Sequence, residues 1–214
     1  KLLSKIVKAK FISLGSIENN KSRLSKNKKK KTILFISDFD KTDYSYSKKN
    51  FKNFKNYYNP EFRMLPFIEN FCEKNNFKLK ILQRTPDFDQ EYSFYSKIFK
   101  KDKWTLVKKK MSYFKDIDEA EIVVFIHSTL GYEALFRKAK IAGFCCRGHV
   151  DLSRCFGWPK FDHKKKGFFW TNELNLTKFN KILIDLINMN QKQWLKKSNK
   201  YIKNFSIYNY NNIK

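Results

Sequence analysis

Acidic residues are scarce: 20 Asp and Glu stand against 46 Lys and Arg in 214 residues, a formal net charge of +26. Arginine is scarcer still, at positions 23, 63, 84, 137, 147 and 154 only, beside 40 lysines. Lys, Asn, Ile and Phe share AT-rich codons, so coding bias explains Lys over Arg but not the shortage of acid. A preference for anions remains: nucleic acid, an anionic membrane face or phosphorylated ligands. Base readout relies on arginine forks, so their scarcity argues against sequence-specific nucleic-acid binding. Long apolar runs are missing too. The longest, "IVVFI" at 122–126, is strand-sized, far short of the roughly 20 residues of a membrane span. The four cysteines (72, 145, 146, 155) contain no C-x-x-C pair, which fits a reduced, cytoplasmic setting. Cys146, His149, Cys155 and His163 match no standard zinc spacing, so no metal site is assigned.

What is present is apolar and aromatic residues, at 42% and 17%, enough for one substantial core. The chain starts at Lys1, which leaves room for a preceding partner. "KLLSKIVKAKFISL" has basic and apolar residues at helical spacing, without the long apolar stretch or cleavage pattern of a signal peptide. "KFISLGSI" (10–17) reads as a strand closing an earlier unit, and "ENNKSRLSKNKKKK" (18–31) as an exposed basic linker. Residues 1–31 are thus expected to be the end of a preceding domain plus linker, 32–205 one domain, and 206–214 a frayed tail.

Within 32–205, apolar strands alternate with amphipathic helices. Strands are expected at "TILFIS" (32–37), "FKLKILQR" (77–84), "KWTLVKK" (103–109), "EIVVFIH" (121–127) and "KIAGFCC" (140–146). Helices are expected over 60–76, where Pro66 would kink the helix or delay its start, and over 89–100, 128–139, 176–190 and 191–205, with a helical turn at 112–120. That alternation predicts an α/β fold: a Rossmann-like, doubly wound parallel sheet followed by two terminal helices.

Two motifs carry chemistry. "ILFISDFDKT" puts Asp38-Phe39-Asp40 after a hydrophobic strand with Thr42 beyond, and resembles the nucleophile strand of haloacid-dehalogenase-type phosphatases. Ser128 would supply the phosphoryl-binding hydroxyl of such an enzyme. The later acidic pair that completes its Mg²⁺ site has no counterpart, since "RGHVDLSR" offers Asp151 alone. The second motif is "DEAEIVVFIHSTLGYEALFRKAKIAGFCC" (118–146). Here a buried strand delivers Ser128 and Thr129 to a helix N-terminus, where free N–H groups attract phosphate. Gly131 allows close approach of ligand or sheet, and Glu133 is placed to accept from ribose hydroxyls. Each has a structural reading beside the functional one. Ser128 or Thr129 serves as a helix cap, Glu133 as a solvated acid, Arg84 as an ion-pair partner, His127 as a strand-end residue and Trp170 as a core plug.

This second segment, continued through "GFFWTN" to Trp194, resembles the C-terminal, donor-binding domain of GT-B glycosyltransferases that build bacterial surface polysaccharides, lipopolysaccharide or capsule. The resemblance covers 32–205. It implies donor-phosphate binding by Ser128, Thr129, Arg84 and Thr85, and ribose binding by Glu133. His127, Gly131, Arg147, His149, Asp38 and Asp40 would line the cleft. Thr85-Pro86 stands where related branches carry His-Pro, which counts against a CMP-linked donor. The implied partners are a nucleotide-activated sugar and a glycan or lipid-linked acceptor, with an anionic membrane surface nearby and no sequence-specific nucleic acid. No cofactor is implied, because the nucleotide sugar is a substrate. The catalytic carboxylate of such enzymes comes from the N-terminal domain, so no catalytic residue is named. The alternatives are the phosphatase using Asp38 and Asp40, and a non-catalytic basic module that binds polyanions or membrane surfaces.

Overall fold

A computed structural model of the chain describes residues 16–26, 30–40, 54–101, 103–108, 113–149, 151–157 and 166–205. Six strands form one wholly parallel sheet: β1 (Lys30–Ile36), β2 (Lys78–Leu82), β3 (Trp104–Val107), β4 (Ala120–Phe125), β5 (Ile141–Phe144) and β6 (Trp170–Thr171). Their order is β3-β2-β1-β4-β5-β6, that of a doubly wound Rossmann sheet. Crossover helices cover both faces of such a sheet, which is why its central strands read as unbroken apolar runs. Ile33 to Phe35 and Ile122 to Phe125 are fully buried accordingly.

Among the described residues, seven α-helices flank the sheet: α1 (Ile17–Lys21), α2 (Phe54–Lys74), α3 (Phe88–Ser96), α4 (Phe114–Glu119), α5 (Thr129–Phe136), α6 (Leu176–Asn188) and α7 (Gln191–Phe205). The helix expected from Pro60 starts six residues earlier and runs through Pro66. Pro66 removes the N–H that would meet the carbonyl of Phe62, and Phe62 lies on the exposed side, where solvent can satisfy it. α6 buries Phe179, Ile182, Leu183 and Leu186 against the sheet, with the Phe179 ring stacked 3.9 Å from that of Phe144. In α7, Trp194 is fully buried, packed on Phe168 and Phe169. β6 was not expected. It is two residues long, held by the parallel pairing Gly143 to Trp170 and by Trp170 packing on Phe156. Trp170 is thus a core residue.

The segment expected as an exposed linker is partly docked. Ser16 caps α1, and Asn19 and Asn20 are buried. The cause is Arg137, at the end of α5, whose side chain is completely buried. It donates to Asp118 through Nε (2.8 Å) and Nη2 (2.6 Å), to Asn19 Oδ1 (2.8 Å), and to the carbonyls of Ser22 and Arg23 (3.0 Å each). Its guanidinium also lies 4.6 Å over the Phe114 ring. Asp118 in turn accepts from the Ser25 amide at 2.8 Å. A sequence pattern scored on polarity alone misses this, because one guanidinium accounts for the polar groups it buries. The expected strand at 10–15 and the tail at 206–214 lie outside the described residues.

Candidate functional site

In the order β3-β2-β1-β4-β5-β6 the direction of winding reverses between β1 and β4, and the connections leaving those strands part there, opening a crevice at their carboxyl ends. Four strand ends deliver side chains to it. After β1 come Ser37, Asp38, Phe39 and Asp40; after β2, Arg84 and Thr85; after β4, His127 and Ser128; after β5, the 3-10 helix Cys146–His149 carrying Arg147. A second 3-10 helix, Leu152–Arg154, adds Arg154.

Arg147 is the hub. Its side chain is 3% exposed and bridges two buried carboxylates, Asp38 through Nη1 and Glu61 of α2 through Nη2, the latter at 2.5 Å. Arg84 approaches the same aspartate from the open side. Its Nη1 donates to the Asp38 carbonyl at 3.0 Å and lies 3.4 Å from Oδ1, while Nη2 is 3.7 Å from Asp40. Arg84 is 45% exposed, on the solvent side of Asp38. The turn that aims it is fixed by Glu91, fully buried, which accepts from the amides of Arg84 and Thr85 and from the Thr85 hydroxyl at 2.9–3.1 Å. On the other side of the crevice, Arg154 Nη1 meets His127 Nδ1 at 2.6 Å, and its Nε donates to Asp151 at 3.3 Å.

Burial pushes the Glu61 carboxyl up to about 7; Arg147 opposes the rise and Asp38 adds to it. Burial raises Asp38 as well, against the pull of Arg147 and Arg84. Two carboxylates sharing one guanidinium behave as a coupled pair that keeps a proton toward neutral pH. Glu61 Oε1 is buried without a hydrogen-bond partner among the described residues. His127 is driven the other way, down to about 4, first by burial and then by Arg154 and Arg147.

Of the residues singled out in the sequence, Asp38, Asp40, Arg84 and Arg147 come together directly, and His127 stands at the same strand ends. Ser128 caps α5, accepting from the Leu130 amide at 3.3 Å, and Thr129 is exposed in the first turn. The Thr85 hydroxyl is engaged by Glu91 and the Asp87 carbonyl. Gly131 answers to the sheet: a Cβ there would stand 2.4 Å from the Phe125 ring. Glu133 lies in the second turn of α5 and accepts from Ser16 Oγ at 3.1 Å. The backbone of His149 closes its 3-10 helix, and its side chain lies outside the described residues, as do Trp158 and His163. Glu61 and Arg154 were missed. A signal for Arg154 existed in the rarity of arginine itself, since three of six (84, 147, 154) gather at one edge of the sheet. Glu61 gave none, because an acid near the start of a helix reads as solvated.

Among the described residues, no group of three or more His, Cys, Asp or Glu is arranged to hold a metal ion, and the four cysteines are buried and form no disulfide. Sheet order and crevice together define a Rossmann-like α/β domain. Two solved structures share this fold. One is TarM, with a TM-score of 0.54 and 15% identity, covering 90% of this chain and 35% of TarM. The other is a "putative UDP-N-acetylglucosamine 2-epimerase" from Listeria monocytogenes, with a TM-score of 0.53 and 10% identity, covering 92% of this chain and 49% of that one. The chain therefore spans about a third to a half of those proteins. No curated protein matches it. It belongs to the family described as "putative O-antigen biosynthesis protein", whose model matches residues 1–214.

Proposed function

We propose that this chain is the donor-binding half of a glycosyltransferase that moves a sugar from a nucleotide-activated donor to a cell-surface glycan or lipid-linked acceptor. The observation that carries this reading is the convergence of Arg84, Arg147 and Arg154 on the crevice between the carboxyl ends of β1 and β4. Guanidinium forks match phosphate oxygens, and a site already built with them needs little reorganisation as charge develops on the leaving phosphate. Arg84 and the helix N-terminus at Ser128 and Thr129 take the phosphates. Arg147, locked between Asp38 and Glu61, fixes the floor of the crevice. Glu133 meets the ribose after exchanging its bond with Ser16 for one with the nucleotide. The acceptor and the base that activates it belong to a preceding domain, as the family resemblance implies.

The phosphatase reading fares worse. Asp38 would have to attack phosphorus while its oxygens are engaged by Arg147 and Arg84, which withdraws the lone pairs a nucleophile uses. Association with the inner leaflet of the cytoplasmic membrane fits α7, which carries five lysines and no acidic residue, and each lysine near an anionic surface contributes about 1 kcal/mol. Among the described residues, no helix is long and apolar enough to cross a membrane.

The test is a thermal-shift panel of CMP, CDP, UDP, GDP and inorganic phosphate at two salt concentrations. One nucleotide should stand out at both salts and lose its effect in Arg84→Ala. Equal, salt-sensitive shifts with every anion would leave only a polyanion-binding module.

A further inference from the structure

We propose that His127 is a neutral hydrogen-bond donor to the phosphate of the donor nucleotide, its tautomer fixed by Arg154 acting as a positioning residue. This rests on the donor-site reading above.

A guanidinium has five N–H donors and no acceptor. The 2.6 Å contact between Arg154 Nη1 and His127 Nδ1 is therefore a hydrogen bond only if Nδ1 offers its lone pair. The ring proton must then sit on Nε2, for which the described residues provide no partner. Protonating Nδ1 would set two cations against each other at that distance. Arg154 is itself aimed: its Nε is held by Asp151, whose carboxylate also takes the Ser153 amide at 2.9 Å and hydroxyl at 2.7 Å. The charged groups acting on the imidazole are Arg154, Arg147 and Arg84, which oppose its protonation, and Asp151, which favours it. Burial joins the arginines, so the ring stays neutral down to about pH 4.

The chemistry this gives is distinct from that of the arginines. They bring charge, which acts at a distance and on any anion. A neutral imidazole with its proton on a known nitrogen brings direction and does not change with pH through the physiological range. His127 immediately precedes the capping Ser128 at the end of β4, so it stands next in the chain to the N-terminus of α5. A phosphate oxygen drawn there by the arginines would meet a donor already oriented.

The experiment has two readouts on the intact chain. Long-range nitrogen–proton NMR of the imidazoles, with His127 assigned by its loss in His127→Ala, should show the Nε2–H form from pH 5 to 8. In Arg154→Ala the same ring should lose its bias toward the Nε2–H form and titrate at a higher pH than in the wild type, still held below its ordinary value by burial. A proton on Nδ1, or an imidazolium in the wild type at pH 6, overturns the proposal. In the second readout, affinity for the nucleotide that gives the largest thermal shift should fall roughly 10- to 100-fold in His127→Ala, the usual worth of a hydrogen bond to a charged group. His127→Gln, which keeps an N–H donor, should recover part of it. Unchanged affinity in His127→Ala overturns the role of His127 and leaves the donor site standing. A wild-type chain that binds no nucleotide overturns both, whatever the tautomer.

Discussion

Arg137 and Arg147 are both buried, and each is paired with an aspartate at one end of a central strand, yet they differ in completeness. Arg137 serves one carboxylate, and the rest of its fork goes to Asn19 and to backbone carbonyls of the 19–23 segment, with Phe114 against its face. Arg147 serves two carboxylates, one of which has an oxygen without a partner among the described residues, and both carboxyls are raised by burial. The first arrangement is a finished clasp that ties the N-terminal segment to the domain. The second leaves two buried carboxyls sharing one guanidinium at the crevice, both raised by burial. The lesson is that burial and ion pairing alone do not separate structure from function. What separates them is whether every polar group has already found its partner.

The comparison is broken most sharply at Arg137. Arg137→Ala strands Asp118 and three backbone or side-chain acceptors, and should destabilise the chain by about 4–5 kcal/mol in denaturant unfolding, with little effect on nucleotide affinity per folded molecule. Arg147→Met should cost less, about 3 kcal/mol at pH 8, because its two carboxylates can take up protons. Its penalty should shrink toward pH 5, and a penalty independent of pH would mean that the two carboxyls are not poised as described.

Glu61 sharpens the same contrast. Its folded value of about 7 lies above the ordinary 4.5, so the folded state holds the proton more tightly. Its contribution is complete below about pH 4.5 and is lost as pH rises through 7, at most about 3 kcal/mol over that window. Melting curves of Glu61→Gln against pH should lose this slope; an identical slope in both proteins would assign it to another group. The smallest effect belongs to Ser128→Ala, about 1 kcal/mol from the lost helix cap. If the hydroxyl also meets phosphate, nucleotide affinity should fall beyond what the lower melting temperature explains.

The scaffold could be read from the residues because its signals are local. "TILFIS" and "EIVVFIH" hold apolar runs of strand length, "FKLKIL" alternates apolar with Lys78 and Lys80, and the segments between them have helical spacing, so a parallel sheet with its carboxyl-edge loops follows. The first six residues of α2, "FKNYYN", carry no such period, and β6 is too short to register as a pattern. Half of the site came with the strands: Asp38, Arg84, His127 and Arg147 are the residues that follow them. The other half depends on distance across the fold. Glu61 lies 86 residues from Arg147, and Arg154 lies 27 from His127; neither pairing leaves a mark in local sequence. The docking of 19–25 was hidden for the same reason, since a polar stretch is buried only when a distant guanidinium completes its hydrogen bonds.

The most direct test of the donor site is hydrogen exchange of the intact chain with and without the nucleotide that gives the largest thermal shift. Slower exchange confined to the strand ends, at 37–40, 83–86, 126–131 and 145–148, is the result this account predicts. Protection along the lysines of α7 instead, or none at all, would contradict it.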